Sequence, residues 1–158
     1  MKNNKGFSLV ELIIVIAIMA VLVGVLAPTY LQYVEKSKKS NDVSTVDSII
    51  NACEIGAIDP EVMSDTTTTL TITVNNSGIT YDPTADNSAW SKAVSAAIGT
   101  GADVKLKSNN WTTAGGGTQN SVEIVATRSV STGKVEFSYG ADTASTFKTY
   151  ATSLTKIS

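Results

Sequence analysis

The sequence predicts an α+β chain in which one long N-terminal α-helix packs on a small antiparallel β-sheet head. Three observations predict it. From Leu9 to Ala27 the residues are apolar except for Glu11, giving about as many residues as a hydrocarbon core requires of a spanning helix. Past Pro28 the apolar residues keep a helical spacing of three and four as far as Cys53. After Gly56 the composition turns to Ser, Thr, Gly, Asn and small apolar residues in short alternating runs. A chain of 158 residues has room for one such helix and one modest globular head.

The helix is predicted from about Phe7 to Ile55, roughly 49 residues and so about 73 Å long. Its first half is apolar on every side. Its second half is amphipathic: Tyr30, Leu31, Val34, Val43, Val46, Ile49, Ile50 and Cys53 recur on one side. Glu35, Lys36, Lys38, Lys39, Asp42 and Asp47 fill between them. Gly56 and Pro60 supply the stop. A helix this long exceeds what a compact domain of this size accommodates, so its first half is expected to protrude.

Pro28 lacks the N–H that would bond the carbonyl of Gly24, and Gly24 itself lowers helix preference by about 1 kcal/mol relative to Ala. One reading is a mild kink. The sharper reading is a segment, about Ala20 to Pro28, that unwinds when copies of the chain pack together.

In the head, Thr69 to Val74 alternates as a strand, Asn75-Asn76-Ser77-Gly78 is a turn, and Ile79 to Tyr81 is a short return strand. Asn87 to Ile98 is read as a short helix with Trp90, Val94, Ala97 and Ile98 inward, followed by Gly99 and Gly101. Asp103 to Lys107 is read as a strand. Ser121 to Ser129 and Lys134 to Tyr139 form the clearest hairpin, joined through Ser131-Thr132-Gly133. Val122, Ile124 and Ala126 are placed on one side with Val135, Phe137 and Tyr139. The sheet is expected to cover Val46, Ile49, Ile50 and Cys53. From Ala141 on, Phe147, Tyr150 and Leu154 suggest a docked tail.

Glu11 asks for an explanation. An ionised carboxylate in a spanning segment costs roughly 2.5–3.5 kcal/mol on insertion scales, so it implies a partner or a function. If the chain is cut after Gly6, the new amine of Phe7 stands one helical turn before Glu11, on the same face. An ordinary secretory signal is cut behind its apolar region after small residues. Here the only suitable site, Val25-Leu26-Ala27, is followed at once by Pro28. A plain membrane anchor accounts for the length and for Lys2 and Lys5, but leaves Glu11 unexplained.

The segment Gly6-Phe7-Ser8-Leu9-Val10-Glu11 resembles the class III leader junction of type IV pilins and their relatives. The resemblance covers roughly the first 35 residues, and Pro28 matches the family's helix-breaking proline in its spacing from the junction. It implies that a prepilin peptidase cuts between Gly6 and Phe7 on the cytoplasmic side and methylates the Phe7 amine, and that Glu11 is the assembly glutamate. Residues 1–6 are then a cleaved leader, 7–33 the transmembrane and assembly half of the helix, and 34–158 the head with the amphipathic half. The implied fold is the ladle of the pilin family. The implied partners are identical subunits in a helical homopolymer, the peptidase, and the assembly platform and motor proteins. The chain would sit in the cytoplasmic membrane as a single-pass protein, head outside, before assembly into an extracellular pilus. A pseudopilin of a secretion or competence machine shares this architecture and is the alternative. The single Cys53 departs from the cysteine pair that many Gram-negative pilins carry near the C-terminus, so the chain reads as a major pilin of a Gram-positive-like system.

Composition bears on other functions. The formal net charge is −2, and losing Lys2 and Lys5 takes it to −4. No basic stripe recommends a nucleic-acid-binding domain. With no His, His-based acid–base catalysis, Ser-His-Asp triads and His-ligated metals are excluded. Gly115-Gly116-Gly117 lacks the Lys-Ser/Thr ending of a phosphate loop and reads as a surface loop. Asp82, Asp86 and Asn87 carry oxygen ligands, but a turn with a helix N-cap at Asn87 or Ser88 accounts for them better than calcium. Lys36, Lys38 and Lys39 read as solvated helix charges, with contact to anionic headgroups before assembly as the sharper alternative. Cys53 falls in line with Ile49 and Ile50 and reads as a core thiol. No catalysis, cofactor or metal is expected.

Overall fold

The computed structural model describes residues 6–84, 86–112, 120–141, 143–151 and 157. α1 runs unbroken from Leu9 to Ala57. Two compact units divide between Ser37 and Lys38. In the first unit the large apolar side chains of α1, from Leu9 to Tyr33, are exposed. The second unit contains the rest of α1, packed on a four-stranded antiparallel sheet of order β2-β1-β3-β4.

The strands are β1 (Thr69–Asn75), β2 (Ile79–Asp82), β3 (Ser121–Arg128) and β4 (Val135–Tyr139). Alternation decides their inner faces. Leu70, Ile72 and Val74 of β1 stand opposite Ala126, Ile124 and Val122 of β3, and all six are buried. These join Val46, Ile49, Ile50 and Cys53 of α1 in one core. On β4, Phe137 is buried while Val135 and Tyr139 are half-buried against that core. The β1–β2 turn is built by Asn75, whose Oδ1 accepts from the amides of Ser77 and Gly78. Gly78 is required there: its φ is +154°, and a Cβ would lie 2.1 Å from the Gly101 carbonyl oxygen.

Arg128 was not foreseen as a core residue, yet it continues the inward series Val122, Ile124, Ala126. Its Nη2 donates to the carbonyls of Asp65 and Thr67 at 3.0 and 2.9 Å, and its guanidinium lies 5.9 Å from the Trp90 ring. The two hydrogen bonds hold the 65–67 connection to the end of β3, and the ring contact ties it to Trp90.

The end of α1 differs from the expectation. Gly56 lies buried inside the last turn, where a Cβ would meet Trp90, Ala93 and Val94 at 3.4–3.5 Å. It makes room for the neighbouring helix. Pro60 opens a second, four-residue helix, α2 (Pro60–Met63), capped by Asp59. α3 spans Ala89–Ile98 and starts two residues later than predicted because Ser88 is the N-cap. Its inner face also departs from the expected one: Trp90, Ser91, Val94 and Ser95 are buried, and Ala97 is exposed. Trp90 faces inward as expected, its buried Nε1 donating to the Cys53 carbonyl at 3.1 Å. α4 (Ser145–Tyr150) buries Phe147 edge-on to Trp111 at 4.9 Å, so this part of the tail is docked; Leu154 lies outside the described residues.

Asp103 to Lys107 forms no strand. Asp42, read as one of the polar residues between the apolar positions of α1, has no exposed surface. One carboxylate oxygen accepts from the Lys107 amide at 2.7 Å; the other accepts from the Ser108 amide at 3.0 Å and from Trp111 Nε1 at 2.9 Å. The Leu106 amide donates to the Asn75 carbonyl at the end of β1 at 3.0 Å, while the end of this run, at Lys107 and Ser108, is thereby bound to α1. Charge-assisted bonds of this kind contribute about 1.5–3 kcal/mol each, more than a neutral ladder bond.

Cys53 is buried as expected. Burial pushes its thiol up to about 12, with the negative charge of Glu54 acting in the same direction.

The stripe is the test of this packing. Ile50→Asp places an unpaired charge at a site with no exposed surface and is expected to abolish the cooperative thermal melt of a fragment starting at about Val34. Ile50→Ala is expected to cost about 2–5 kcal/mol and keep the transition. A wild-type melt for the Asp variant contradicts the packing.

Candidate functional site

The residues singled out from the sequence, Gly6, Phe7, Glu11, Gly24 and Pro28, all lie in the first unit. α1 does not begin at Phe7. It begins at Leu9, with Ser8 before it donating its backbone N–H to Glu11 Oε2 at 2.8 Å. Leu12 N–H in turn donates to the Ser8 carbonyl at 3.2 Å. Ser8 is therefore the N-cap and Glu11 the third helical residue, reaching back to it. This is one half of a capping box, and its signature Ser-x-x-Glu stands in the sequence as Ser8-Leu9-Val10-Glu11. The sequence reading missed it by considering Glu11 only as a charge.

The consequence for Phe7 is geometric. It precedes the N-cap, outside the helix, so its relation to Glu11 is not the one-turn neighbour relation of two helical residues. Phe7 is 93% exposed, so none of the described residues covers the ring. Gly6 adjoins it with no heavy atom near its would-be Cβ. Gly6 and Phe7 are thus exposed, non-helical residues ahead of a capped helix.

From Leu12 to Ala27 the helix surface is apolar on all sides. An 18-residue window has a mean hydropathy of 3.1, with none of it buried. The helix is long and apolar enough to cross a membrane, and covering each of its large apolar side chains would contribute about 1.5–3 kcal/mol. The helix passes Pro28 without interruption. A Cβ at Gly24 would meet nothing within 4 Å, so packing inside the chain does not account for glycine there.

The remaining candidates are placed as follows. Ser88, not Asn87, caps α3. Asp82 and Asp86 are exposed, and among the described residues no group of three or more His, Cys, Asp or Glu is arranged to hold a metal ion. Gly115-Gly116-Gly117 lies outside the described residues.

Comparison with known proteins converges on the same segment. Residues 1–27 match the prokaryotic N-terminal methylation motif. Two fimbrial proteins of Pseudomonas aeruginosa are each 35% identical over 68 residues, 42% of this chain and 44% of the relative. A prepilin peptidase-dependent protein A of Clostridium perfringens is 30% identical over 93 residues, 58% of this chain and 66% of that protein. The chain spans less than half the length of the fimbrial relatives. No solved structure matches it.

The cap gives a measurement that separates geometry from charge. Glu11→Gln keeps an acceptor oxygen and is expected to leave amide exchange at Ser8 unchanged in detergent micelles. Glu11→Ala is expected to speed it several-fold, the loss of a cap contact of about 0.5–2 kcal/mol. Equal exchange in all three proteins rules out the capping role.

Proposed function

With an amino terminus of the type IV pilin kind as premise, we propose that this chain is a structural subunit that polymerises through its apolar half-helix into an extracellular pilus. The observation that carries the proposal is the junction itself. Gly6-Phe7 is exposed, a capped helix follows, and the carboxylate of that cap stands alone in a surface suited to lipid or to other helices. In this reading the peptidase cuts between Gly6 and Phe7 and the Phe7 amine is methylated. The half-helix rests in the cytoplasmic membrane with the head outside until assembly. Assembly then moves it from lipid into a bundle of identical helices, a head-to-tail contact that does not close and so makes a filament. Motor, platform and peptidase are other polypeptides, and the chain itself carries no catalysis.

Gly24 and Pro28 fit the same reading. Proline leaves the Gly24 carbonyl without its helical donor, so the segment from about Ala20 to Pro28 is the cheapest part of α1 to unwind when helices crowd. A pseudopilin of a secretion machine would share the junction. The extent of the head, with its own sheet and three further helices, favours a pilus subunit.

Processing is tested by N-terminal mass analysis of the protein from sheared surface fibres. The expected chain begins at Phe7 with a methylated amine; a start at Met1 or at Pro28 overturns the proposal.

Assembly is tested at Glu11. Glu11→Ala is expected to leave insertion and cleavage intact and to lower the yield of sheared fibres, with partial recovery in Glu11→Asp. Glu11→Gln is the decisive variant, because it retains the cap and removes the charge. Low yield with Gln assigns docking to the charge. Normal yield and wild-type helical symmetry for both Gln and Ala would leave assembly to apolar helix packing alone.

A further inference from the structure

Between Ser8 and Lys36, all within the first unit, α1 carries polar marks at two levels. At the lower level, a helix that begins at Leu9 has no intrahelical carbonyl for the amides of Leu9, Val10 and Glu11. The Glu11 carboxylate stands there too, with Oε2 accepting from Ser8. Unpaired amides and an ionised carboxylate are costly among acyl chains and are satisfied by water or headgroups. At the upper level stand Tyr30 and Tyr33, three residues apart and so on one side of the helix, 66% and 69% exposed. Glu35 and Lys36 follow them, the first charged residues after Glu11.

The spacing of the two levels matches a bilayer. From Glu11 to Tyr30 the helix rises about 29 Å, against about 30 Å for a hydrocarbon core. From Glu11 to Lys36 it rises about 38 Å, within the roughly 40–45 Å that includes both headgroup layers. Every residue between Glu11 and Glu35 is uncharged. Tyrosine settles at such a boundary because its ring is apolar and its hydroxyl is wet. Packing within the chain does not account for the pair, since both rings are exposed and so are Leu26 and Leu31 beside them. Apolar helix packing would be served as well by Leu at 30 and 33 as at 26 and 31; a lipid–water boundary favours Tyr.

We propose that Tyr30 and Tyr33 dock in the interfacial layer of the bilayer that holds the unassembled subunit, and that this anchor sets the level of Glu11 in the opposite headgroup layer. The inference rests on the reading of α1 as a membrane-inserted helix before assembly. Because α1 is continuous from Leu9 past Tyr33, seating the tyrosines at one interface fixes the other end. The unpaired amides and the carboxylate then meet water and headgroups rather than acyl chains. Sliding α1 by one turn, about 5.4 Å, toward the tyrosine side would draw Glu11 under the acyl chains. Sliding it equally far the other way would draw the Tyr30 hydroxyl under them. Glu11 is therefore not a buried charge while the subunit waits. It becomes one on leaving the bilayer, when neighbouring helices replace the headgroups around it.

The test uses the full processed chain in nanodiscs of phosphatidylcholine and phosphatidylglycerol, spin-labelled at one introduced cysteine at a time: Val10→Cys, Ile18→Cys, Val21→Cys, Leu26→Cys or Gln32→Cys. Cys53 is buried, so the introduced thiol is the one that reacts. Depth is read from each label's collisions with oxygen and with a water-soluble nickel chelate. The expected profile is deepest at Val21, with the labels at 10 and 32 both at headgroup level. Tyr30→Leu with Tyr33→Leu is expected to release the anchor: the leucines enter the hydrocarbon and nickel contact at position 10 rises several-fold. Tyr30→Trp with Tyr33→Trp is expected to keep the wild-type profile, because Trp shares the interfacial preference. A label at position 10 among acyl chains with that at 32 in water overturns the proposal. An unchanged profile in the Leu pair, or the same displacement in the Trp pair, overturns it also. If no label in any variant reaches hydrocarbon depth, the membrane reading of α1 itself fails, a result distinct from the others.

Discussion

Val46, Ile49, Ile50 and Cys53 stand at helical spacings of three and four on α1, and the head is organised by what those four side chains require. Each has no exposed surface, and covering each of the large ones contributes about 1.5–3 kcal/mol. Only a sheet with one wholly apolar face covers such a stripe along its length. The central pair β1 and β3 supplies it through six opposed residues, Leu70, Ile72, Val74, Val122, Ile124 and Ala126. β2 and β4 then flank that pair by antiparallel hairpins, whose short turns at 75–78 and 129–134 cost little chain entropy. α3 closes the remaining side of α1, and the absence of a side chain at Gly56 sets how close Trp90 approaches.

One turn before Val46 the same face of α1 carries Asp42, and there the chemistry changes from apolar to ionic. A buried carboxylate is tolerable when its lone pairs are occupied, and three N–H donors occupy them. The cost of breaking the arrangement is asymmetric. Removing Asp42 would leave the Lys107 and Ser108 amides and the Trp111 indole as buried donors, at about 1–3 kcal/mol for each one unmade. Trp111 in turn packs against Phe147 and Tyr150, so the loop before β3 and the tail after β4 are secured at one level of the helix. The apolar stripe chooses the sheet; Asp42 chooses where the loops go.

How much of this was legible in the sequence follows from the range of each interaction. The helix, both hairpins and the burial of Cys53 depend on periods of 3.6 and 2 that repeat within a short window, and these were read correctly. α1 and α3 each begin two residues later than the period suggests, because caps decide starts: Ser8 and Ser88 are the residues that end the extended chain. The Ser-x-x-Glu signature at Ser8 was readable. The strand expected at Asp103 to Lys107 failed for a different reason. Its local pattern is adequate, but the Lys107 amide that ends it is taken by Asp42, 65 positions earlier, and no local rule anticipates that. Ala97 is exposed although it lies on the Trp90 side of α3, in the helix's last turn, so the period gave the face but not how far along it the cover extends. Arg128 is intermediate: its inward position was plain from alternation, while the carbonyls that accept from it were not.

The cap at Glu11 is compatible with the assembly role proposed for the same carboxylate. An ionised group at the centre of a spanning helix costs roughly 2.5–3.5 kcal/mol, and less near the end, where water and headgroups approach. The bond from Ser8 N–H offsets about 0.5–2 kcal/mol of that. Capping alone therefore does not remove the penalty, and the other lone pairs of the carboxylate stay available. A cation brought beside it by a neighbouring subunit would meet an anion that is already oriented and only partly satisfied. Since the cap uses a backbone donor of the same chain, docking need not break it: the N–H holds one oxygen while the incoming charge meets the other. A side chain that only capped would be served equally by Gln, and one that only paired would need no Ser three residues before it. In the proposed reading, the combination of Ser8 and Glu11 would let the helix start be finished in the isolated subunit and still leave an oxygen for the next one.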